Sequence, residues 1–318
     1  MEHKIYDVVI IGGGPAGLAS GIYAARARMK ALLIDNYGID GQALSTNIIE
    51  NYPGFTDDIS GFQLIENLKV QAKKFGLEII SDEVVSINYT DTSIEQSRKN
   101  IEIKTGDETC PTISAISVII ASGIKPKQLG IPGEKEFKGC GVSYCATCDA
   151  ALYKNKTVVV VGGGDTAIEE SLFLTKFADK VFVVHRRDKL RATKILQERV
   201  LANKKINFLW NSQITEIIGN KKVENVLIKN IVSSQNSKIN CDGVFIFVGY
   251  IPKTEYLTGV LKLDENGYII TDDEMKTNKA GIFAAGDCRK KLLKQVVTAC
   301  ADGAIAAFSA EKYVNSVS

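Results

Sequence analysis

Histidine is scarce in this chain: two residues in 318, His3 and His185. A structural zinc site needs four ligands, commonly two CxxC pairs or one pair with histidines. The chain has one CxxC and its two histidines lie far apart in sequence, so we expect no metal. No apolar run approaches the ~20 residues that span a bilayer. The start, MEHKIYDVVII, lacks the long apolar region and small-residue cleavage site of a signal peptide. We therefore expect a cytoplasmic protein. An excess of one charge is missing too, with a formal net charge of +2. The charge balance thus implies neither a nucleic acid nor a membrane as partner. Seven cysteines, an odd number scattered over a long chain, speak against a disulfide framework. Cys110, Cys140, Cys241, Cys288 and Cys300 are expected to be small buried or half-buried residues. Cys145 and Cys148 stand apart by their spacing.

What is present is an ordinary globular composition, 45% hydrophobic and 24% charged, on a chain long enough for roughly two domains. The stretch YDVVIIGGGPAGLASGIYAARARMKALLID reads as strand, glycine turn, helix and strand. Residues 6–11 are apolar and β-branched, as a buried parallel strand requires. Gly12, Gly14 and Gly17 permit a tight turn, and close approach of a pyrophosphate to a helix start. Asp35 follows Gly12 by 23 residues, where an acid accepts from a ribose hydroxyl. The pattern recurs in KTVVVVGGGDTAIEESLFLTKFADKVFVVHRR, with a strand at 157–161, Gly162, Gly164 and Ala167, a helix over 166–177 and a strand at 181–184. The residue 23 after Gly162 is His185, followed by Arg186, Arg187 and soon Arg191. An acid repels a 2′-phosphate, whereas arginines bind it by charge-assisted bidentate bonds. The first site therefore favours an unphosphorylated ribose and the second favours NADP. Together they point to FAD and NADPH, with hydride passing from nicotinamide to flavin.

Between the motifs, 61–76 reads as an amphipathic helix, 84–89, 101–105 and 116–121 as strands, and 91–100 as a polar loop tip. Prolines and glycines make KPKQLGIPGEKEFKG a linker, and GYIPKTEYL marks a second boundary. After the second glycine turn and its strands, several short strands are expected, 244–248 the clearest; 281–285 reads as a strand and 296–314 as a helix. Asp287, at a strand end, is placed either to bond a polyol or to cap a loop. The CxxC permits a metal ligand pair, a staple or a redox dithiol. The ligand count argues against the first. The second closes almost no loop and stabilises little. A redox pair remains, its nucleophilic thiolate favoured by CxxC spacing and more so at a helix N-terminus; CDAALYKN is expected to form that helix. Asp149 either caps it or carries a proton.

The motifs GGGPAG, ENYPG, IPGE, CATCD, GGGDTA, HRRDKLRA, GIFAAGD and QVVTACADGAIAA, in this order, resemble the low-molecular-weight, bacterial-type thioredoxin reductases over nearly the whole chain. The resemblance implies an α/β homodimer with two Rossmann-like, three-layer domains per chain. One is a discontinuous FAD domain, 1–122 with 252–318. The other is an NADPH domain, 123–251, that carries the CxxC. It implies FAD contacts at Gly12, Gly14, Pro15, Ala16, Gly17, Asp35, Gln42, Asn51, Ala121, Gly123, Gly286, Asp287, Gln295 and Val296. For NADPH it implies Gly162, Gly164, Asp165, Thr166, Ala167, His185, Arg186, Arg187 and Arg191. Cys148 would attack the disulfide of thioredoxin, Cys145 would resolve the mixed disulfide, and Asp149 would donate a proton. The NADPH domain would rotate between half-reactions. Rival readings are a flavin reductase with a different electron donor and a small-molecule dithiol oxidase on the same scaffold; both have little use for Arg186 and Arg187. Asp40, Ala150 and Lys294 replace the residues usual in the family.

Overall fold

The apolar run at the start forms β1 (Ile5–Ile11). The turn after it leads into α1 (Pro15–Arg26), which has proline in its first turn, where the missing N–H costs nothing. Next comes β2 (Ala31–Asp35), parallel to β1 with Val8 opposite Ala31 and Ile11 opposite Ile34. The computed structural model describes residues 4–36, 41–44, 46, 49, 51–89, 101–107 and 112–317, so the expected loop tip at 91–100, Asp40 and Cys110 lie outside the described residues. Helix α2 (Gly61–Lys74) starts at Ser60, whose hydroxyl accepts from the Gln63 N–H at 3.1 Å. Strands β3 (Glu78–Ser81), β4 (Val84–Tyr89), β5 (Ile101–Thr105), β6 (Ile113–Ile120) and β7 (Ile124–Pro126) follow. β6 begins three residues before the expected strand.

The chain then runs through β8 (Val142–Ser143), α3 (Ala146–Asp149), β9 (Thr157–Gly162), α4 (Asp165–Leu174) and β10 (Lys180–Val184). It continues with α5 (Lys194–Leu201), β11 (Ile206–Leu209), β12 (Ser212–Gly219), β13 (Val223–Asn230), β14 (Asn236–Asn240), β15 (Gly243–Phe247) and β16 (Tyr250–Pro252). It closes with β17 (Ile282–Ala284) and α6 (Val296–Val317). Helix α4 stops at Leu174, short of the expected 177. The Thr175 hydroxyl donates to the Leu172 carbonyl at 2.7 Å, a local bond that competes with continued helix.

Two compact units result: Met1–Lys125 with Ile251–Ser318, and Pro126–Tyr250. The chain crosses between them in a two-stranded ribbon of β7 and β16. The first unit holds the sheet β3-β2-β1-β6-β5-β4, with β17 added on β6. Residues of β1 alternate between two cores: Val8 and Ile10 pack with α1 and α6, while Val9 and Ile11 face Leu257, Ile269 and Cys288. The second unit repeats the plan with the parallel sheet β11-β10-β9-β15-β8. Val158 and Val160 pack with α4; Val159 and Val161 pack against the antiparallel sheet β12-β13-β14. Burying each such side chain contributes about 1.5–3 kcal/mol. That is why uninterrupted apolar runs mark the sheet centres, whereas β14, largely exposed, is invisible as a run.

The proline- and glycine-rich stretch read as a linker is not loose. Phe137 is buried with Leu129 and Ile131 packed beside it, and the buried Glu134 accepts from the Leu129 and Gly130 N–H groups. Cys140, expected to be buried or half-buried, is exposed. It stands between Gly139 and Gly141, both at positive φ, in a turn that points its side chain outward. Cys241 and Cys288 are buried and Cys300 is half-buried. Among the described residues, no helix is long and apolar enough to cross a membrane.

Candidate functional site

In the first unit the glycine turn joins β1 to α1. Gly12 has φ +109°, and a Cβ there would lie 2.3 Å from the Ala121 carbonyl oxygen. A Cβ on Gly17 would lie 1.8 Å from the Gly12 carbonyl oxygen, so helix and turn meet as backbone on backbone. Gly14 faces open space, with nothing within 4 Å of its Cβ position. Pro15 opens α1, Ala16 is buried, and Asp35 Oδ1 accepts from the Gly13 N–H at 2.8 Å. Gly14→Ala therefore leaves thermal unfolding of the flavin-free protein nearly unchanged but impairs FAD retention. Gly17→Ala destabilises even the flavin-free protein, by about 3 kcal/mol from overpacking. Calorimetry beside flavin absorbance separates the two; equal loss of stability in both variants overturns the distinction.

The far end of the sequence completes this site. Asn51 Nδ2 donates to Gln295 Oε1 at 3.0 Å, joining residues 244 positions apart. Val296, next along, begins α6. The Gln42 carbonyl accepts from the Thr46 hydroxyl at 3.1 Å, and Gly123 has φ +67° beyond β6. Asp302 fixes the loop after β17. Its carboxylate accepts from the Gly286 N–H at 3.0 Å, from Arg289 Nη1 at 3.1 Å and from Lys291 Nζ at 2.7 Å. Sequence reasoning missed this buried triad; ordinary charged residues at those spacings carry no signal of burial. Asp287 sits on that loop with Oδ1 buried and, among the described residues, without a hydrogen-bond partner. Burial raises its pKa, while Lys291 and Lys294 pull it back. An orphaned buried oxygen costs about 1–3 kcal/mol, so a polyol hydroxyl would satisfy it. An open glycine turn, an acid at the end of β2 and an orphaned acceptor fit a flavin dinucleotide.

The second unit repeats the device with a different ribose end. Gly162 lies against the Phe247 carbonyl and buried Ala167, and Gly164 again faces open space. Asp165 Oδ1 accepts from the Thr193 N–H at 2.7 Å, and Thr166 is half-buried on α4. His185 takes the place that Asp35 holds in the first unit: a Cβ on Gly163 would fall 2.3 Å from its ring. Its Nε2 donates to the Lys189 carbonyl at 3.1 Å, and burial lowers its pKa. Arg186, Arg187 and Arg191 are exposed, and among the described residues none is ion-paired. The Arg191 N–H donates to the Gly163 carbonyl at 2.7 Å, which holds the arginine loop beside the glycine turn. Unpaired arginines at this place fit a 2′-phosphate.

Cys145 and Cys148 form a disulfide, their Cα atoms 5.4 Å apart. Helix α3 begins at Ala146, two residues before CDAALYKN, because Cys145 itself is the cap: its Sγ accepts from the Cys148 N–H at 3.1 Å. The Ser143 hydroxyl accepts from the Cys145 N–H and donates to the Cys145 carbonyl, each at 3.1 Å. Cys148 is exposed and Cys145 half-buried. Asp149 stands at the cap position of the helical turn that follows α3, without a side-chain capping hydrogen bond among the described residues. Sequence reasoning also missed Glu170 on α4, whose Oε2 accepts from the Ala146 N–H at 3.1 Å. Among the described residues, no three metal-ligating side chains come together.

The family model for pyridine nucleotide-disulphide oxidoreductases matches residues 6–303. The chain is 48% identical to a thioredoxin reductase of Peptoclostridium acidaminophilum, covering 98% of both chains. It is 46% identical to one of Bacillus subtilis, covering 99% of this chain and 97% of the other. The solved thioredoxin reductase of Lactococcus lactis superposes with a TM-score of 0.91 at 43% identity, covering 98% and 99% of the two chains. Two dinucleotide turns and a disulfide-bonded CxxC are the parts such an enzyme needs, and the chain belongs to the pyridine nucleotide-disulphide oxidoreductases, among their thioredoxin reductases.

Proposed function

We propose that the protein is a homodimeric, cytoplasmic NADPH-dependent thioredoxin reductase. The observation that carries this reading is a disulfide-bonded CxxC on the same unit as a nucleotide turn ending in three unpaired arginines. Bound FAD and NADPH supply hydride transfer and a two-electron store. The chain's own residues do the rest. In the discontinuous unit, read as the FAD domain, Gly12, Gly14 and Gly17 make room for the pyrophosphate. Asp35 there holds the ribose and Asp287 the ribityl chain. In the contiguous unit, read as the NADPH domain, Gly162, Gly164 and Ala167 shape the second turn, and Arg186, Arg187 and Arg191 hold the 2′-phosphate.

The Cys145–Cys148 disulfide accepts two electrons and opens. The Cys148 thiolate, exposed, attacks one sulfur of the thioredoxin disulfide and releases the other as thiolate. Cys145 then attacks Cys148 of the mixed disulfide, reforms the internal pair and frees the second thioredoxin thiol. Asp149, free of any cap bond, donates the proton that a departing thiolate needs. The arginine loop and the cysteines belong to one unit and must both serve the flavin of the other. We therefore read the β7–β16 ribbon as the hinge about which that unit rotates. Tyr23 on α1, Phe62 on α2 and Phe308 on α6 are exposed apolar side chains that a partner copy would cover in such a dimer.

Anaerobic mixing tests the reading. NADPH bleaches the yellow protein much faster than NADH, and added thioredoxin then gains two thiols per NADPH consumed. Bleaching without thiol gain overturns the acceptor; equal bleaching by both nucleotides overturns the donor.

A further inference from the structure

Glu170 is a half-buried carboxyl that neither nucleotide turn uses. It reaches from α4 to the peptide N–H groups between the two cysteines, Ala146 at 3.1 Å and Thr147 beside it. Those N–H groups belong to the segment that must carry a new negative charge when the disulfide opens. Burial pushes the Glu170 pKa up to about 7, against the pull of the two N–H groups; Glu169 on the same helix raises it further. α3 presents these N–H groups to it, and among the described residues Glu169 is the only charge acting on it. The carboxyl therefore changes charge near neutral pH, at the back of the redox pair.

We propose that Glu170 is a positioning residue of the dithiol: its carboxyl fixes the turn between Cys145 and Cys148 and takes up one proton when that disulfide is reduced. This rests on the reading of the pair as redox-active. The balance is simple. Two electrons break the S–S bond; one sulfur takes a proton and becomes a thiol, and the other remains a thiolate. The thiolate's charge raises the proton affinity of the carboxylate behind it, and Glu170 takes the second proton from solvent. Electrons come from the reductant and both protons from water. A permanently ionised carboxylate at this place would oppose reduction; one that can be neutralised holds the turn without that opposition.

The test is the dithiol–disulfide equilibrium of the holoenzyme in dithiothreitol buffers, read by thiol labelling and mass spectrometry. Glu170→Gln keeps an acceptor oxygen but no charge. At pH 8, where wild-type Glu170 is mostly ionised in the disulfide form, the variant favours the dithiol by about tenfold, equivalent to about 30 mV for a two-electron couple. At pH 6 the two proteins agree within about twofold, because wild-type Glu170 is already protonated. Glu170→Asp restores a pH-dependent equilibrium. No difference at either pH, or the same difference at both, overturns the proposal. Should Glu170→Gln fail to fold, the wild-type protein decides. Its reduced-minus-oxidised infrared difference spectrum at pH 8 gains a protonated-carboxyl band, and absence of that band overturns the proposal. The chemical reductant keeps these outcomes separate from the donor assignment: a pair that NADPH never reduces defeats the proposed function, not this inference.

Discussion

Cys148→Ser lowers thioredoxin reduction by on the order of 10³-fold or more, while NADPH still bleaches the flavin. The magnitude follows from the loss of the attacking thiolate, for which a hydroxyl at neutral pH is no substitute. The asymmetry of the pair assigns the role. Cys148 is exposed, whereas Cys145 is half-buried, with its sulfur engaged as the cap of α3 and its peptide held by Ser143. Cys145→Ser has a different phenotype: the mixed disulfide with thioredoxin forms but is not resolved, so a covalent complex accumulates. Non-reducing mass spectrometry after mixing each reduced variant with oxidised thioredoxin distinguishes them. An adduct in Cys148→Ser and none in Cys145→Ser would falsify the order of attack.

The second large effect concerns the nucleotide. Arg186→Ala combined with Arg187→Ala raises the KM for NADPH about a hundredfold, leaves kcat near its original value and leaves NADH kinetics unchanged. Charge-assisted hydrogen bonds contribute about 1.5–3 kcal/mol each. Because both side chains are exposed, screening holds the pair near the lower end, and about 3 kcal/mol corresponds to roughly two decades. The preference between nucleotides then narrows by the same factor. Higher salt weakens NADPH binding in the parent protein and much less in the variant. Steady-state kinetics with both nucleotides measure this; a fall in kcat with unchanged KM sinks the assignment.

Both nucleotide turns were legible in the sequence because glycine spacing there is a backbone requirement. The site that follows each second strand was legible because strand length fixes where residue 23 falls. Asp35 and His185 accordingly occupy equivalent places against Gly13 and Gly163. The bond between Asn51 and Gln295 was not legible from spacing, since nothing local links positions 244 apart; only the family resemblance put both near the flavin. Glu170 was hidden because one glutamate of a helical pair reads as a solvated face, and its burial depends on where α3 docks. Short strands were expected where β12, β13 and β14 lie, but neither their bounds nor their antiparallel pairing was legible. Their residues alternate or face water, and their pairing is a tertiary fact.

The discontinuity of the first unit also sets an order of assembly. The second unit is one contiguous stretch and can close as soon as Tyr250 has emerged during synthesis. The first unit waits for β17 and α6, whose small residues seat the helix on α1: a Cβ on Gly303 would fall 2.1 Å from the Ala16 carbonyl oxygen, and the Ser20 hydroxyl donates to the Gly303 carbonyl at 3.0 Å. At about 5–20 residues per second, α1 spends roughly a quarter of a minute to a minute with its apolar side uncovered. Asp287 and Gln295 arrive in that same late segment. Flavin loading is thus a post-translational event, and a chain stalled after Tyr250 would carry a finished redox outlet with no flavin to feed it.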